Sequence, residues 1–104
     1  MAWAFLLLAG LLEIGWAVGL KYSEGFTRPG ITLLTVLTMI ASFLLLAQAL
    51  KTIPVGTGYA VWTGIGAAGT AIVGMLLLGE PREAGRLACI VLILAGVTGL
   101  KILG

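Results

Sequence analysis

The sequence predicts an all-α membrane protein with four transmembrane helices in each subunit. Of its 104 residues, 61% are hydrophobic and 10% are charged, which leaves too little polar surface for a soluble domain. Four apolar stretches each reach the roughly 20 residues that a helix needs to cross the hydrocarbon layer. Short loops that contain glycine, proline and charged residues separate them. We therefore expect residues 1–104 to form a single four-helix transmembrane domain.

The first two predicted spans cover residues 2–20 and 31–50. The first is interrupted only by Glu13, and the second carries no charge. Residues 21–30 supply turn residues between the two spans. Pro54 closes the second connection, because proline and the residue before it disfavour a continuing helix.

The last two predicted spans cover residues 55–78 and 86–103. The third is uncharged and rich in glycine, which favours close approach of a neighbouring helix. The fourth is interrupted near its end by Lys101, whose long side chain can reach the membrane surface. Ala95 and Gly99 on this span form a small-residue face suited either to packing within the chain or to a dimer contact.

The loop charges predict orientation only weakly. An even number of spans places both termini on one side, and the positive side chains divide two against four. They are Lys51 and Lys101 on one side and Lys21, Arg28, Arg82 and Arg86 on the other. A bias of two is small for the positive-inside rule, so we hypothesise that the chain inserts in both orientations.

The composition excludes several classes of function. There is no histidine and only one cysteine, so common zinc and cysteine-histidine catalytic sites are absent, and we expect no enzyme, metal or cofactor. The net charge of +2 comes from loops and helix ends, which argues against nucleic acid as a partner. Glu80 and Glu83, beside Arg82 and Arg86, are interpreted as an ordinary solvated turn.

Glu13 is the principal candidate for a functional site. It is the only acidic residue inside an apolar stretch, roughly 12 Å along the helix from the charge of Lys21. An unpaired carboxylate in hydrocarbon is costly, so its presence predicts a function. Helical spacing places Gly10 and Trp16 on the same face.

Other polar and aromatic groups at membrane depth belong to the second and third spans. They are Met39, Ser42 and Phe43 on the second span and Tyr59, Trp62 and Thr63 on the third. A buried carboxylate needs hydrogen-bond donors, and the candidates are the hydroxyls of Ser42 and Tyr59 and the indole N–H of Trp62. Two alternatives stay open: Tyr59 as an anchor at the membrane surface, and Ser42 bonded only to its own helix.

A carboxylate lined by aromatic rings favours a cation as its ligand. Protons compete for the same oxygen atoms, so a proton gradient could drive cation export through one shared site. Four helices enclose little space around one carboxylate, which favours two subunits with two Glu13 residues. A non-transporting pore or scaffold is the alternative of a different class. A pore would need a continuous polar stripe, which the second and third spans lack.

Three stretches carry a resemblance to a known family: residues 13–17 (EIGWA), 21–28 (KYSEGFTR) and 54–66 (PVGTGYAVWTGIG). With these, the chain resembles the small multidrug resistance transporters over essentially its whole length. The tryptophan three residues after Glu13 and the ending GLK at 99–101 make it most similar to the guanidinium exporters. Gly58 stands where the family pattern leads us to expect alanine.

The resemblance implies an antiparallel, dual-topology homodimer in the cell inner membrane that exchanges guanidinium for protons by alternating access. By position it makes Glu13 the shared substrate and proton site and the fourth helix a dimer contact. The lining or supporting residues would be Trp16, Ser42, Tyr59 and Trp62. Apart from the resemblance, helical spacing and side-chain type make Gly10, Met39, Phe43 and Thr63 the further candidates for site or portal residues. A broad exporter of quaternary ammonium compounds is the alternative within the same family.

Overall fold

The computed structural model describes residues 1–103, and they form four long helices. These are α1 (Ala2–Tyr22), α2 (Pro29–Ala49), α3 (Val55–Leu77) and α4 (Ala84–Leu103). Each is long and apolar enough to cross a membrane. The predicted all-α fold with four spans is confirmed.

Two helices begin earlier than the sequence predicts. The sequence predicts turn residues as far as Gly30, but Pro29 is itself the first residue of α2. Proline fits there because the first helical position has no N–H partner to lose. Arg28 precedes it in an extended conformation. The fourth helix similarly starts at Ala84, two residues before the predicted span.

The helices are arranged as an open layer in the order α2, α1, α3, α4. The first helix packs against both α2 and α3, which also touch each other, whereas the backbone of α4 comes close to that of α3 alone. The Cα atoms extend over 40 × 35 × 17 Å, and a thickness of 17 Å corresponds to no more than about two packed helices. The subunit is therefore not a closed bundle, and one face of its central helices stays open.

Most of the core lies where α1, α2 and α3 meet. Its buried residues are Leu6, Ala9, Leu46, Ala49, Ile53, Val61 and Trp62. Gly58 adjoins this core, where an added Cβ would overlap the end of the Leu50 side chain. In α4 only Ile90 is buried. The outer face of α4 has no partner within residues 1–103.

Candidate functional site

Glu13 lies between α1 and α3, directly against Gly66. A Cβ atom added to Gly66 would overlap the Glu13 carboxylate, so only glycine leaves room for this side chain against the α3 backbone. The Oε1 atom of Glu13 is buried and has no hydrogen-bond partner among the described residues. Such an oxygen is free to accept a ligand or a proton.

Glu13 lines a cavity of about 490 Å³ that leads to the end of the subunit where α1 and α3 terminate. The other lining residues are Ala17, Val18, Lys21, Thr63, Gly66, Ala67, Thr70, Ala71, Leu78, Glu80 and Arg86. The walls near Glu13 are small or apolar, and the charged residues other than Glu13 lie toward the open end. The cavity is thus a route between the carboxylate and one surface of the protein.

Ser42 and Trp62 form hydrogen bonds to each other and to α1 rather than to Glu13. The indole N–H of Trp62 donates to Ser42 Oγ over 3.0 Å, and the Ser42 hydroxyl donates to the Ala9 carbonyl over 2.7 Å. Both side chains are buried and each uses its donor here, so neither of these candidate donors bonds Glu13 in this structure. Ser42 is not bonded to its own helix either. Instead, the two hydrogen bonds join α1, α2 and α3 one turn from Glu13.

The predicted aromatic residues form one row across three helices. Trp16 meets Phe43 edge-on with ring centroids 6.1 Å apart, and Phe43 meets Trp62 in the same way at 5.7 Å. Tyr59 extends the row at 5.6 Å from Trp62. Phe43 and Tyr59 are about half exposed, so the row runs from the interior to the surface.

The remaining predicted residues divide between the cavity and helix packing. Thr63 lines the cavity. Gly10 is buried against Ile65, where an added Cβ would lie 2.8 Å from the Ile65 Cγ2 atom, so its role is close contact between α1 and α3. Met39 is half-buried on α2 and does not line this cavity.

Four polar or charged cavity residues were not predicted as site residues: Lys21, Thr70, Glu80 and Arg86. Glu80 and Arg86 form an ion pair of 2.8 Å, and the interpretation as an ordinary solvated turn missed their place on the cavity. The hydroxyl of Thr70 is buried without a hydrogen-bond partner in residues 1–103. Positions 62, 66, 70 and 74 of α3 are four residues apart, and residues with this spacing lie near one another on a helix surface. This spacing was the signal in the sequence that could have pointed to Thr70.

The Glu13 carboxylate is the group that determines which ligands this cavity can bind. Nowhere in residues 1–103 do three or more potential metal-binding side chains come together. A partly buried carboxylate with a free oxygen binds cations or protons. Four helices long and apolar enough to span a membrane, with this cavity between α1, α3 and the start of α4, define a small multi-pass membrane protein with a candidate cation site.

Comparison with known proteins gives the family. The model of the family described as Small Multidrug Resistance protein matches residues 1–93, and the chain belongs to this family. It is 57% identical over 102 residues to a protein of Yersinia pestis named Guanidinium exporter, covering 98% of both chains. Proteins of the same name from Citrobacter freundii and Salmonella typhimurium are 56% identical, covering 98% of this chain and 97% of theirs. The chain is accordingly a membrane transport protein and not an enzyme, as the sequence predicted.

Proposed function

We propose that this protein exports guanidinium in exchange for protons, and that both ligands bind in turn to Glu13. The observation that carries the proposal is the free, buried Oε1 atom of Glu13 at the inner end of the cavity. A second support is the name Guanidinium exporter, which relatives sharing more than half of the residues carry.

Guanidinium suits this carboxylate for chemical reasons. It is planar, and its N–H groups match the two oxygen atoms of a carboxylate as an arginine head group does. It is also weakly hydrated, which lowers the cost of entering a cavity with small apolar walls such as Ala67 and Ala71. A quaternary ammonium ion has no N–H to offer, so it would leave the free oxygen of Glu13 without a hydrogen bond.

Coupling to protons follows from competition at one site. A carboxylate that holds guanidinium is ionised, whereas a protonated one has lost the charge that attracts the cation. If the cavity opens alternately to the two sides of the membrane, proton entry on one side releases the substrate there. The gradient then drives export without a second coupling site.

The transporting unit in this proposal is an antiparallel homodimer. The open layer of helices leaves one face of α1 and α3 uncovered, and a second subunit would close it. On α4, Gly96 and Gly99 have open space where a Cβ would project, so another helix can approach closely there. Each dimer would hold two Glu13 carboxylates.

Transport by purified protein in proteoliposomes with an imposed pH gradient tests the function. Glu13→Gln is expected to abolish gradient-driven guanidinium movement, because the amide neither attracts the cation nor exchanges a proton. Glu13→Asp, which keeps the charge, is expected to retain part of the activity. Glu24→Gln is the control, since Glu24 lies on an exposed loop in a surface ion pair with Arg28.

Proton release on guanidinium binding, measured in detergent at several pH values, gives an independent result. Wild type is expected to release protons and to bind guanidinium more weakly as the pH falls, because the two ligands compete. Full transport by Glu13→Gln, or binding that displaces no proton at any pH, contradicts shared use of Glu13. Gradient-driven movement of tetraalkylammonium ions but not of guanidinium would identify a broad cation exporter instead.

A further inference from the structure

A second carboxylate lies against α3 in the same way as Glu13. Glu13 sits on Gly66, and Glu80 sits on Gly74, where an added Cβ would lie 2.5 Å from Glu80 Oε1. Eight residues of helix separate the two glycines, so the carboxylates lie about 12 Å apart along the α3 axis. Glu80 marks the open end of the cavity, and Glu13 marks its inner end.

The loop after α3 holds Glu80 in place. Its backbone N–H donates to the Gly74 carbonyl over 3.1 Å. Arg82, two residues later, donates from Nε and Nη2 to the Met75 carbonyl over 3.2 and 3.0 Å. Because Arg82 caps the end of α3 with these groups, it is Arg86 that pairs with the Glu80 carboxylate.

The partner of Glu80 has the chemistry of the proposed substrate. Arg86 presents a guanidinium group, and its Nη2 atom lies 2.8 Å from Glu80 Oε1. Both side chains are about 40% exposed, and ion pairs with this exposure are weak. A free guanidinium ion could therefore replace the Arg86 head group at little cost, since the displaced arginine returns to water.

A polar group also lies between the two carboxylates. Thr70 is halfway from Gly66 to Gly74 on the same face of α3, and it lines the cavity. Its hydroxyl is buried and has no partner among residues 1–103. It can accept a hydrogen bond from a cation that passes between Glu80 and Glu13.

We infer that Glu80 is an outer binding site for guanidinium, occupied at rest by the Arg86 head group, which the substrate displaces on its way to or from Glu13. The inference rests on the proposed function, because it takes guanidinium as the transported ion. It assigns opposite effects to the two members of one ion pair. Glu80 attracts the substrate, and Arg86 competes with it.

Guanidinium transport in proteoliposomes, measured as KM and kcat, tests this inference. Glu80→Gln is expected to raise KM about two- to fivefold, the range that an exposed ion pair supports, with little change in kcat. Arg86→Gln is expected to lower KM by a similar factor, because Glu80 is then free. The matched control is Glu24→Gln, which removes an ion pair of the same 2.8 Å length on the loop between α1 and α2 and should leave KM unchanged.

The signs of the two effects decide the outcome. If Glu80→Gln and Arg86→Gln both raise KM, or both match Glu24→Gln, the pair is only structural and the inference is wrong. If Glu80→Gln yields no folded protein, the test rests on Arg86→Gln. A lower KM in that variant supports the inference, and an unchanged or higher KM contradicts it, because loss of a purely structural ion pair would not improve apparent affinity. Failure of the proposed function looks different: Glu13→Gln would transport normally, or wild type would not couple guanidinium to protons.

Discussion

Replacing Gly66 by alanine should separate the position of Glu13 from its charge. The added methyl group would overlap the Glu13 carboxylate and lie 2.8 Å from its Cγ atom, so the side chain must leave its place against α3. Overpacking of this kind costs about 1–3 kcal/mol. If that cost falls on the liganded position of Glu13, guanidinium binding weakens about 5- to 150-fold. The helix itself gains up to about 1 kcal/mol from the change of glycine to alanine.

Gly56→Ala is the matched control, because it makes the same change in the first turn of α3, where no atom beyond the local helix backbone lies within 4 Å of the added Cβ. Titration calorimetry in detergent gives the guanidinium affinity, and thermal unfolding of the same samples gives the stability. We expect Gly66→Ala to stay folded and lose affinity, and Gly56→Ala to keep both. If the two variants bind guanidinium with equal affinity, contact with Gly66 is not what positions the Glu13 side chain.

Two further predictions concern packing and topology. Ser42→Ala should lower the free energy of unfolding by about 1–3 kcal/mol, because the buried indole N–H of Trp62 loses its acceptor. Denaturant unfolding in micelles measures this free energy. Thr98→Ala is the control, because the Thr98 hydroxyl is exposed and donates only to the Leu94 carbonyl of its own helix. A change above about 0.5 kcal/mol in the control would undermine the comparison. A reporter fused to the C-terminus should be detected on both sides of the membrane, as an antiparallel dimer requires; signal on one side alone would count against that arrangement.

The sequence predicted the fold well because membrane spans are encoded in length and composition. Each predicted span corresponds to a helix with ends shifted by a few residues. The earlier start of α2 at Pro29 has a local cause, because proline disrupts the interior of a helix but is favoured at its first position. The open layer was not predictable in this way. These helices are apolar on most sides, so hydrophobic periodicity does not say which face of one helix meets which neighbour.

The candidate site was predicted in part. Glu13 was found because a lone carboxylate in an apolar stretch needs an explanation, and Thr63, which was named as a possible site residue, lines the same cavity. Spacing within a helix does not reveal contacts between helices, so Ser42 and Trp62 were assigned to Glu13 although they bond each other and α1. Glu80 was missed because a charged loop looks the same in sequence whether it faces water or the mouth of a cavity.

The hydrogen bonds of Ser42 connect α2 to the part of α1 that carries Glu13. The Ala9 carbonyl that accepts from Ser42 is also the α-helical acceptor for the backbone N–H of residue 13. Moving α2 relative to α1 therefore strains the turn that carries Glu13. By contrast, the polar links of α4 are at its two ends, where Arg86 pairs with Glu80 and Lys101 lies 5.3 Å from the ring of Trp3. Buried side-chain hydrogen bonds therefore tie α1, α2 and α3 together, whereas α4 is joined to them by exposed charged groups and by apolar contacts such as that of Val97 with Gly64.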